Sequence, residues 1–314
     1  RQAHLDRVEF EVIPDAATRF ERLLAGTVDY LPDVQPSDLP RVEASPDLRL
    51  VAADGLQFEF IGWNTARAPL DQPSVRRALT LGIDRQELVD VVWRGQARVG
   101  VSAILRATWA HDPTLHPWPY DPDRARELLA AAGWKDMDAE GYRISGGRRL
   151  RLEVLTNSSN RLRTEALVLI QEQLRRVGVE VAIAQMEVHA VIERASRGDF
   201  DGFLLGWGIP TSLDVTPFFH SDPERGGYNW GRYRSEEVDR LLDGLRSFAT
   251  AEETLPSHRR VEAILHEEQP YTFLVEPKRI GAIRKRFRGV RASALSPVDR
   301  LEEWWYDAGP EVAR

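Results

Sequence analysis

The chain contains no cysteine. Disulfides, thiolate metal sites and a cysteine nucleophile are therefore excluded, while the redox compartment stays open. No apolar run approaches the roughly 20 residues of a membrane-spanning helix. Positive charge is not in excess: 42 Lys and Arg stand against 49 Asp and Glu, a net charge of −7. Nucleic-acid binders more often carry a basic balance, so no nucleic-acid partner is expected. The N-terminus, Arg1-Gln2-Ala3-His4, shows no signal-peptide pattern. Short repeats and low-complexity stretches are missing as well.

Motifs of chemistry are equally scarce. Neither a G-x-S-x-G elbow nor a GxxxxGK[ST] phosphate loop occurs. His266-Glu267-Glu268-Gln269-Pro270 opens like a metalloprotease helix but lacks the second histidine. His111 and His116 lie in a Pro-rich loop at a spacing that suits a metal poorly. No two carboxylates stand out as an acid–base couple. The sequence therefore nominates no catalytic residue, no metal site and no cofactor.

What is present is an alternation of strand and helix patterns over 314 residues, enough for two lobes. Val8, Phe10 and Val12 alternate as in a strand. Asp15 caps a helix carrying Phe20, Leu23 and Leu24, and Gly26 ends it. Strands are expected near 48–52 and 58–62, and helices after Ser74 and after Asp84, where Glu87 completes the spacing of a capping box. Asp121-Pro122 starts another helix. The stretch from Trp109 to Tyr120, rich in Pro, Trp and His, reads as an ordered surface loop.

The middle is the most informative part. Leu150, Leu152 and Val154 alternate; Leu167, Ile170, Leu174 and Val177 share a helical face; Val179, Val181 and Ile183 alternate again. Val188, Val191, Ile192 and Ala195 form a second helix closed by Gly198. Residues 200–207 are mostly apolar, as in a strand buried on both faces. This β-α-β-α-β order implies a parallel sheet with right-handed crossovers. Ligands of such sheets bind beyond the carboxyl ends of the strands, here loops 156–163 and 208–216. Trp207 ends the buried strand at that edge. Tyr228 and Trp230, in the Gly-rich stretch 226–231, are weaker candidates beside it. Most of the nine tryptophans should be core, and the basic run Arg284-Lys285-Arg286 with Arg288 and Arg291 reads as a solvated face.

Several segments, in order, resemble the family 5 extracellular solute-binding proteins, which include dipeptide, oligopeptide and nickel receptors of ABC importers. They are Val12-Ile13-Pro14-Asp15 with 23–29; Gly62-Trp63-Asn64-Thr65 with Val75-Arg76-Arg77-Ala78-Leu79 and Ile83-Asp84-Arg85; Tyr120-Asp121-Pro122 through Ala132-Gly133-Trp134; Gly198-Asp199-Phe200-Asp201 through Trp207; and Asn229 with Tyr233, Glu237-Val238-Asp239 and Leu242.

The resemblance implies an α/β, periplasmic-binding-protein-like (type II) fold with two lobes joined by hinge strands and an incomplete first lobe, since family members are longer on the N-terminal side. Residues 1–62 with 279–314 would belong to the first lobe and 63–278 to the second. The hinge would involve Gly62, Trp63, Asn64, Glu276 and Pro277. Apolar side chains near 5–13 and 48–62 should then be unusually exposed, or covered by another chain. The implied function is capture of a peptide or similar small solute between the lobes and its delivery to a membrane permease, with no catalysis. Ligand contacts would come from Trp207 as an apolar wall, from Gly208, Ile209, Thr211 and Asp214 in the following loop, from Asn157, Ser158 and Ser159, from Arg161 and Arg163 toward an anionic ligand, and from Trp230. Peptide-binding relatives place an aspartate three residues after the matching tryptophan, where this chain has Pro210. The protein would be extracytoplasmic, periplasmic or lipid-anchored, and a monomer when full length. The rival readings are a sensory domain of a transcriptional regulator and, on the same fold, a metal-independent enzyme.

Overall fold

The computed structural model describes residues 3–245 and 250–307. It divides into two compact units, Arg1–Gly55 with Pro277–Arg314, and Leu56–Glu276.

In the first unit, helix α1 (Ala16–Ala25) starts where the Asp15 carboxylate accepts the Thr18 N–H at 2.7 Å, and ends where Gly26 takes a left-handed conformation at φ 79°. Strand β1 (Tyr30–Leu31), helix α2 (Leu39–Ala44) and strand β2 (Leu48–Asp54) follow. Both strands pair antiparallel with residues up to 284 of a long late strand. Phe20, Leu23, Val42, Leu48 and Ile280 form the core. The strand expected over Val8, Phe10 and Val12 does not form: the segment has no ladder partner, and these side chains are 41, 74 and 90 % exposed. The segment is tied instead to arginines of α1, with Arg19 Nη1 donating to the Ile13 carbonyl at 2.8 Å and Arg22 pairing with the Glu11 carboxylate. The exposure expected for 48–62 is not seen, because Leu48, Val51, Phe58, Phe60 and Ile61 are buried under paired neighbours.

In the second unit come β3 (Gln57–Trp63), α3 (Pro73–Leu81), α4 (Arg85–Val91), β4 (Ala97–Val99) and α5 (Pro122–Ala131). A small antiparallel meander, β5 (Asp136–Met137), β6 (Arg143–Ser145) and β7 (Arg148–Arg149), turns at Gly146 and Gly147, whose φ values of 56° and 75° suit a tight hairpin. Next are β8 (Arg151–Asn157), α6 (Arg161–Arg175), β9 (Glu180–Met186), α7 (Val188–Arg197) and β10 (Gly202–Gly208), then α8 (Thr216–Phe219), α9 (Glu236–Leu245), α10 (Ala251–Glu268) and β11 (Tyr271–Arg284). The chain then returns to the first unit, where β12 (Phe287–Arg288) pairs with β13 (Trp305–Tyr306). The arginines of the basic run are used locally there: Arg284 donates to the Leu23 carbonyl and Arg286 to Asp29, both at 2.7 Å.

The sheet of the second unit runs β11-β3-β10-β8-β9. β8 is parallel to β9 and to β10, as the β-α-β-α-β pattern predicts, while β3 runs antiparallel to both β10 and β11. One face packs on α3, α4, α5 and α6 through residues such as Ile61, Leu79, Leu152 and Leu167. The other carries Phe58, Phe60, Phe203 and Phe273 under α7, α9 and α10.

Segment 100–121 has no regular structure, yet it is not peripheral. Val101, Ala103, Ile104 and Leu105 are buried, and one face of α10 holds the segment down. The ring of His258 meets that of Trp109 edge to face at 5.5 Å. The Glu262 carboxylate accepts the Ser102 hydroxyl at 2.9 Å and the Asp112 N–H at 2.8 Å, and lies 2.6 Å from His111 Nδ1. Trp118 stacks on His266 and donates to its carbonyl at 2.9 Å. From α4, the buried Arg85 donates to the carbonyls of Gly100, Phe273 and Trp118. Among the described residues no helix is long and apolar enough to cross a membrane.

Candidate functional site at the carboxyl edge of the sheet

Parallel strands β8, β9 and β10 end on one edge of the sheet at Asn157, Met186 and Gly208. Because β3 runs the other way, its start lies on that edge too: Gly208 faces Gln57 and Gly206 faces Glu59. Val275 of β11 faces Glu59 in turn, which brings Glu276 to the same side.

An ion pair occupies the middle of this edge. Arg163 Nε donates to Glu59 Oε2 at 2.7 Å and Nη2 to Oε1 at 3.2 Å. Its Nη1 donates to Asn157 Oδ1 at 2.9 Å. The arginine and glutamate side chains are only 16 % and 12 % exposed. Arg163, expected to meet an anionic ligand, therefore already has its counter-charge, supplied from a strand that sequence spacing could not connect to it. Arg161 lies elsewhere, strongly exposed and paired with Glu165 one helical turn on. Asn157 is buried and gives its N–H to Ser159 Oγ at 3.0 Å, while the side chains of Ser158 and Ser159 are exposed. Gly206 leaves room for the pair: a Cβ there would come within 2.6 Å of Arg163 Nη2 and of Glu59 Oε1.

Aromatic rings form the neighbouring patch. Trp207 is half-buried and stacks with Phe60 at 6.0 Å and with Phe218 at 4.8 Å. Tyr228 and Trp230 close on it at 5.5 Å each. Trp230 is buried, whereas Tyr228 is 50 % exposed. The most exposed ring of the patch is thus Tyr228, one of the two weaker candidates from the sequence. Trp207 Nε1 and the Tyr271 hydroxyl are both buried and lie toward each other. Beyond Trp207, Gly208, Pro210 and Thr211 are exposed, while the Ile209 side chain is buried and its N–H donates to the Leu56 carbonyl at 2.8 Å. Leu213 then adopts a left-handed φ of 56°, a conformation that costs a branched residue energy and is held by the surrounding packing.

Of the residues assigned to the hinge, Gly62, Trp63 and Asn64 lie inside the second unit, at the end of β3 remote from the Gly55–Leu56 division. Trp63 is fully buried and donates to Thr272 Oγ1 at 2.9 Å; Asn64 Nδ2 donates to the carbonyls of Gly198 and Phe200, each at 3.1 Å. Glu276 and Pro277 flank the other division. Burial pushes the Glu276 carboxyl up to about 7 against the pull of Arg106, whose backbone N–H donates to Oε2 at 3.3 Å. Its Oε1 has no partner.

Asp214 lies apart from the aromatic patch. One of its oxygens accepts the Thr216 N–H at 2.9 Å, and the residue lines a cavity of about 320 Å³ with Trp109, Leu242 and His258. Sequence reading missed both this cavity and the Glu59–Arg163 pair. Each joins residues far apart in the chain: strand order links Glu59 to Arg163, and the packing of helices on loops links the cavity lining. Among the described residues no three His, Asp or Glu side chains converge as metal ligands. The edge offers exposed hydroxyls, peptide groups and an aromatic ring, which suit non-covalent capture of a small molecule.

Comparison with known proteins agrees with the fold. Residues 1–228 match the family described as bacterial extracellular solute-binding proteins, family 5 middle. The oligopeptide-binding protein AppA of Bacillus subtilis is 29 % identical over 306 residues, 96 % of this chain and 56 % of its own. The structure of that protein with a nonapeptide superposes with a TM-score of 0.80, covering 94 % of this chain and 59 % of that one. Heme-binding protein A of Haemophilus influenzae is 26 % identical over 91 % of this chain and 51 % of its own. NikA from Brucella suis in complex with Fe(III)-EDTA shares the fold at a TM-score of 0.81 and 20 % identity, covering 94 % of this chain and 61 % of that one. The chain spans about half the length of the curated relatives it matches. With a mixed α/β architecture and a matching stretch that covers well over half its length, the chain belongs to the family 5 extracellular solute-binding proteins of bacteria.

Proposed function

We propose that the protein captures a small solute, a peptide or peptide-like molecule, as the binding component of an ABC importer, and hands it to a membrane permease without chemical change. Family membership over residues 1–228 carries this reading, and relatives named for oligopeptide and dipeptide binding support the ligand class. The full-length protein works outside the cytoplasm, in a periplasm or lipid-anchored at the outer face of the cell membrane, as a monomer and without nucleic acid. Ligand rests on the carboxyl edge of the second unit. Tyr228 offers a ring face, Ser158 and Ser159 offer hydroxyls, and Gly208 and Thr211 offer exposed backbone.

Two considerations narrow the chemistry. The family resemblance implies an aspartate that pairs with the ligand's α-amino group at the position where this chain has the uncharged Pro210, and Arg163 is neutralised by Glu59. A buried ammonium without a counter-charge costs several kcal/mol even after relaxation, so this edge selects a ligand that needs no free α-amine. Calorimetry on the full-length protein with matched free and N-acetylated peptides, beside a panel of sugars, tests both levels. Peptide binding that survives acetylation within about threefold, equivalent to about 0.7 kcal/mol, is expected. Loss of binding on acetylation would overturn the ligand preference, and no binding of any solute would overturn the receptor reading.

A further inference from the structure

Strand β9 ends the sheet of the second unit, with β8 as its one ladder partner among the described residues. The Glu180 N–H donates to the Leu150 carbonyl at 3.0 Å, and the Met186 carbonyl accepts the Ser158 N–H at 2.8 Å. Both residues thus turn their peptide groups toward β8. Successive residues of a strand alternate in this direction, so Val181, Ile183 and Gln185 turn theirs outward. Gln171 of α6 meets the first of them, its Nε2 donating to the Val181 carbonyl at 2.7 Å. Among the described residues no such cap reaches Ile183 or Gln185. Two N–H groups and two carbonyls are left along the open edge.

Sheet edges are commonly blunted by a lysine, a proline or a bulge, or covered by a helix or loop. Residues 181–186 contain no charge and no proline, and their register with β8 is unbroken. Gln185 is exposed, and Ala182, Ile183, Ala184 and Met186 are half-buried. Ile183 packs on the face beneath α6, where Val168, one turn before Gln171 on the same side of the helix, is 53 % exposed. Ala184 and Met186 pack on the other face. The opening is short, with the capped Val181 at one end and the start of α7 at Val188 beyond the other. Three residues of strand fall far below the roughly 1,000 Å² that a lasting contact between two folded chains needs. A tripeptide fills the same span. Free peptide groups on an uncharged strand with apolar flanks match an extended main chain with neutral ends and small apolar side chains.

We propose that β9 takes an extended, end-blocked tripeptide as an added antiparallel strand, the first residue exchanging both main-chain hydrogen bonds with Gln185 and the third with Ile183. The inference rests on the peptide class proposed above and adds a site for the ligand's main chain. The probe is N-acetyl-Val-Ala-Val-amide. Calorimetry measures its affinity for the 314-residue chain, and hydrogen exchange of assigned backbone amides locates it. At saturation the Ile183 and Gln185 amides should exchange at least about tenfold more slowly, with little change at Ala184, whose N–H already faces β8. N-methylation of either valine should weaken binding at least about tenfold, and of the central alanine less than about threefold, because only the valine N–H groups face the strand. Gln185→Pro removes an N–H that β8 does not use, at an edge position where proline is accommodated, and should cost at least about tenfold in affinity with an unchanged far-ultraviolet spectrum. Absence of binding, equal loss from all three N-methylations, or unprotected Ile183 and Gln185 amides at saturation would each overturn the assignment. Protection of those amides without peptide, growing with protein concentration, would overturn it in favour of a second copy. Binding that shifts Tyr228 and leaves the β9 edge unprotected would overturn this site alone, since the receptor reading falls only if the full-length protein binds no solute.

Discussion

Replacing Glu59 by Gln strands Arg163 at the sheet edge with a neutral partner. The charge centres of such a pair lie roughly 4 Å apart, where an effective dielectric near 20 gives about 4 kcal/mol of attraction. Desolvation of both ions offsets much of this in the intact pair, but deleting one partner leaves the other's desolvation uncompensated, and fully buried pairs then lose about 3–5 kcal/mol. Residual exposure of 16 % and 12 % admits some water. Glu59→Gln and Arg163→Met should therefore each destabilise by about 2–3 kcal/mol, and the double variant by far less than their sum. Gly206→Ala gives an independent reading, because its Cβ must displace both side-chain ends. Its cost should shrink in the double-variant background. Denaturant unfolding of the second unit, followed by far-ultraviolet circular dichroism and tryptophan fluorescence, measures all of these. Single variants within 0.5 kcal/mol of the parent, or a strictly additive double variant, would refute the claim that the pair holds the edge, since the quoted coupling is on the order of 2 kcal/mol.

Glu276 keeps its proton up to about 7 in the fold against an ordinary value of 4.5. Its stabilising contribution is thus complete below the ordinary value and lost as pH rises through about 7. Glu276→Gln should flatten the fall in stability between acid and neutral pH by up to about 3 kcal/mol, while leaving the opposite loss on the acid side that comes from His258 and His266, whose pKa values burial lowers. A variant whose stability–pH profile runs parallel to the parent's would show that this carboxyl is not the group concerned. Gly226→Ala would set a Cβ 1.9 Å from the His220 carbonyl oxygen, a backbone atom, so it should cost about 3 kcal/mol or more in thermal unfolding. Gly227→Ala, with open space around the site, serves as the control, and equal melting temperatures would refute the clash.

Much of the secondary structure in both units was legible in the sequence because its signals are local. Asp15, Asp84 and Asp121 each cap the helix that their spacing announces. The alternation in 150–154 and 179–183, with apolar helical faces between, specifies the parallel pairing of β8 with β9. Where the reading failed, the deciding partner was distant or missing. Val8, Phe10 and Val12 have the period of a strand, but period alone supplies no neighbour to bond with. Other features were not legible because they depend on distant elements: the partner of Arg163 is one, since only the placement of β3 beside β10 delivers Glu59 to it. Trp207 ends its strand as expected, and its stacking on Phe60 and Phe218 brings in two other elements that local sequence does not announce. The surface loop expected over 109–120 is present, with Ala110 its one buried residue, while the burial of the preceding Val101–Leu105 had no local signal.

Strand β11 has a consequence for the order in which the molecule folds. Its first half completes the sheet of the second unit beside β3, and its second half completes the pairing of β1 and β2 in the first. The partners are far apart along the chain: Trp63 and Thr272 are separated by 209 residues, and Leu23 and Arg284 by 261. Loop-closure entropy makes such contacts late. Neither unit can finish until residues 271–284 have been made. A nascent chain thus carries two unfinished sheets at once, and a single short segment converts both to their final state.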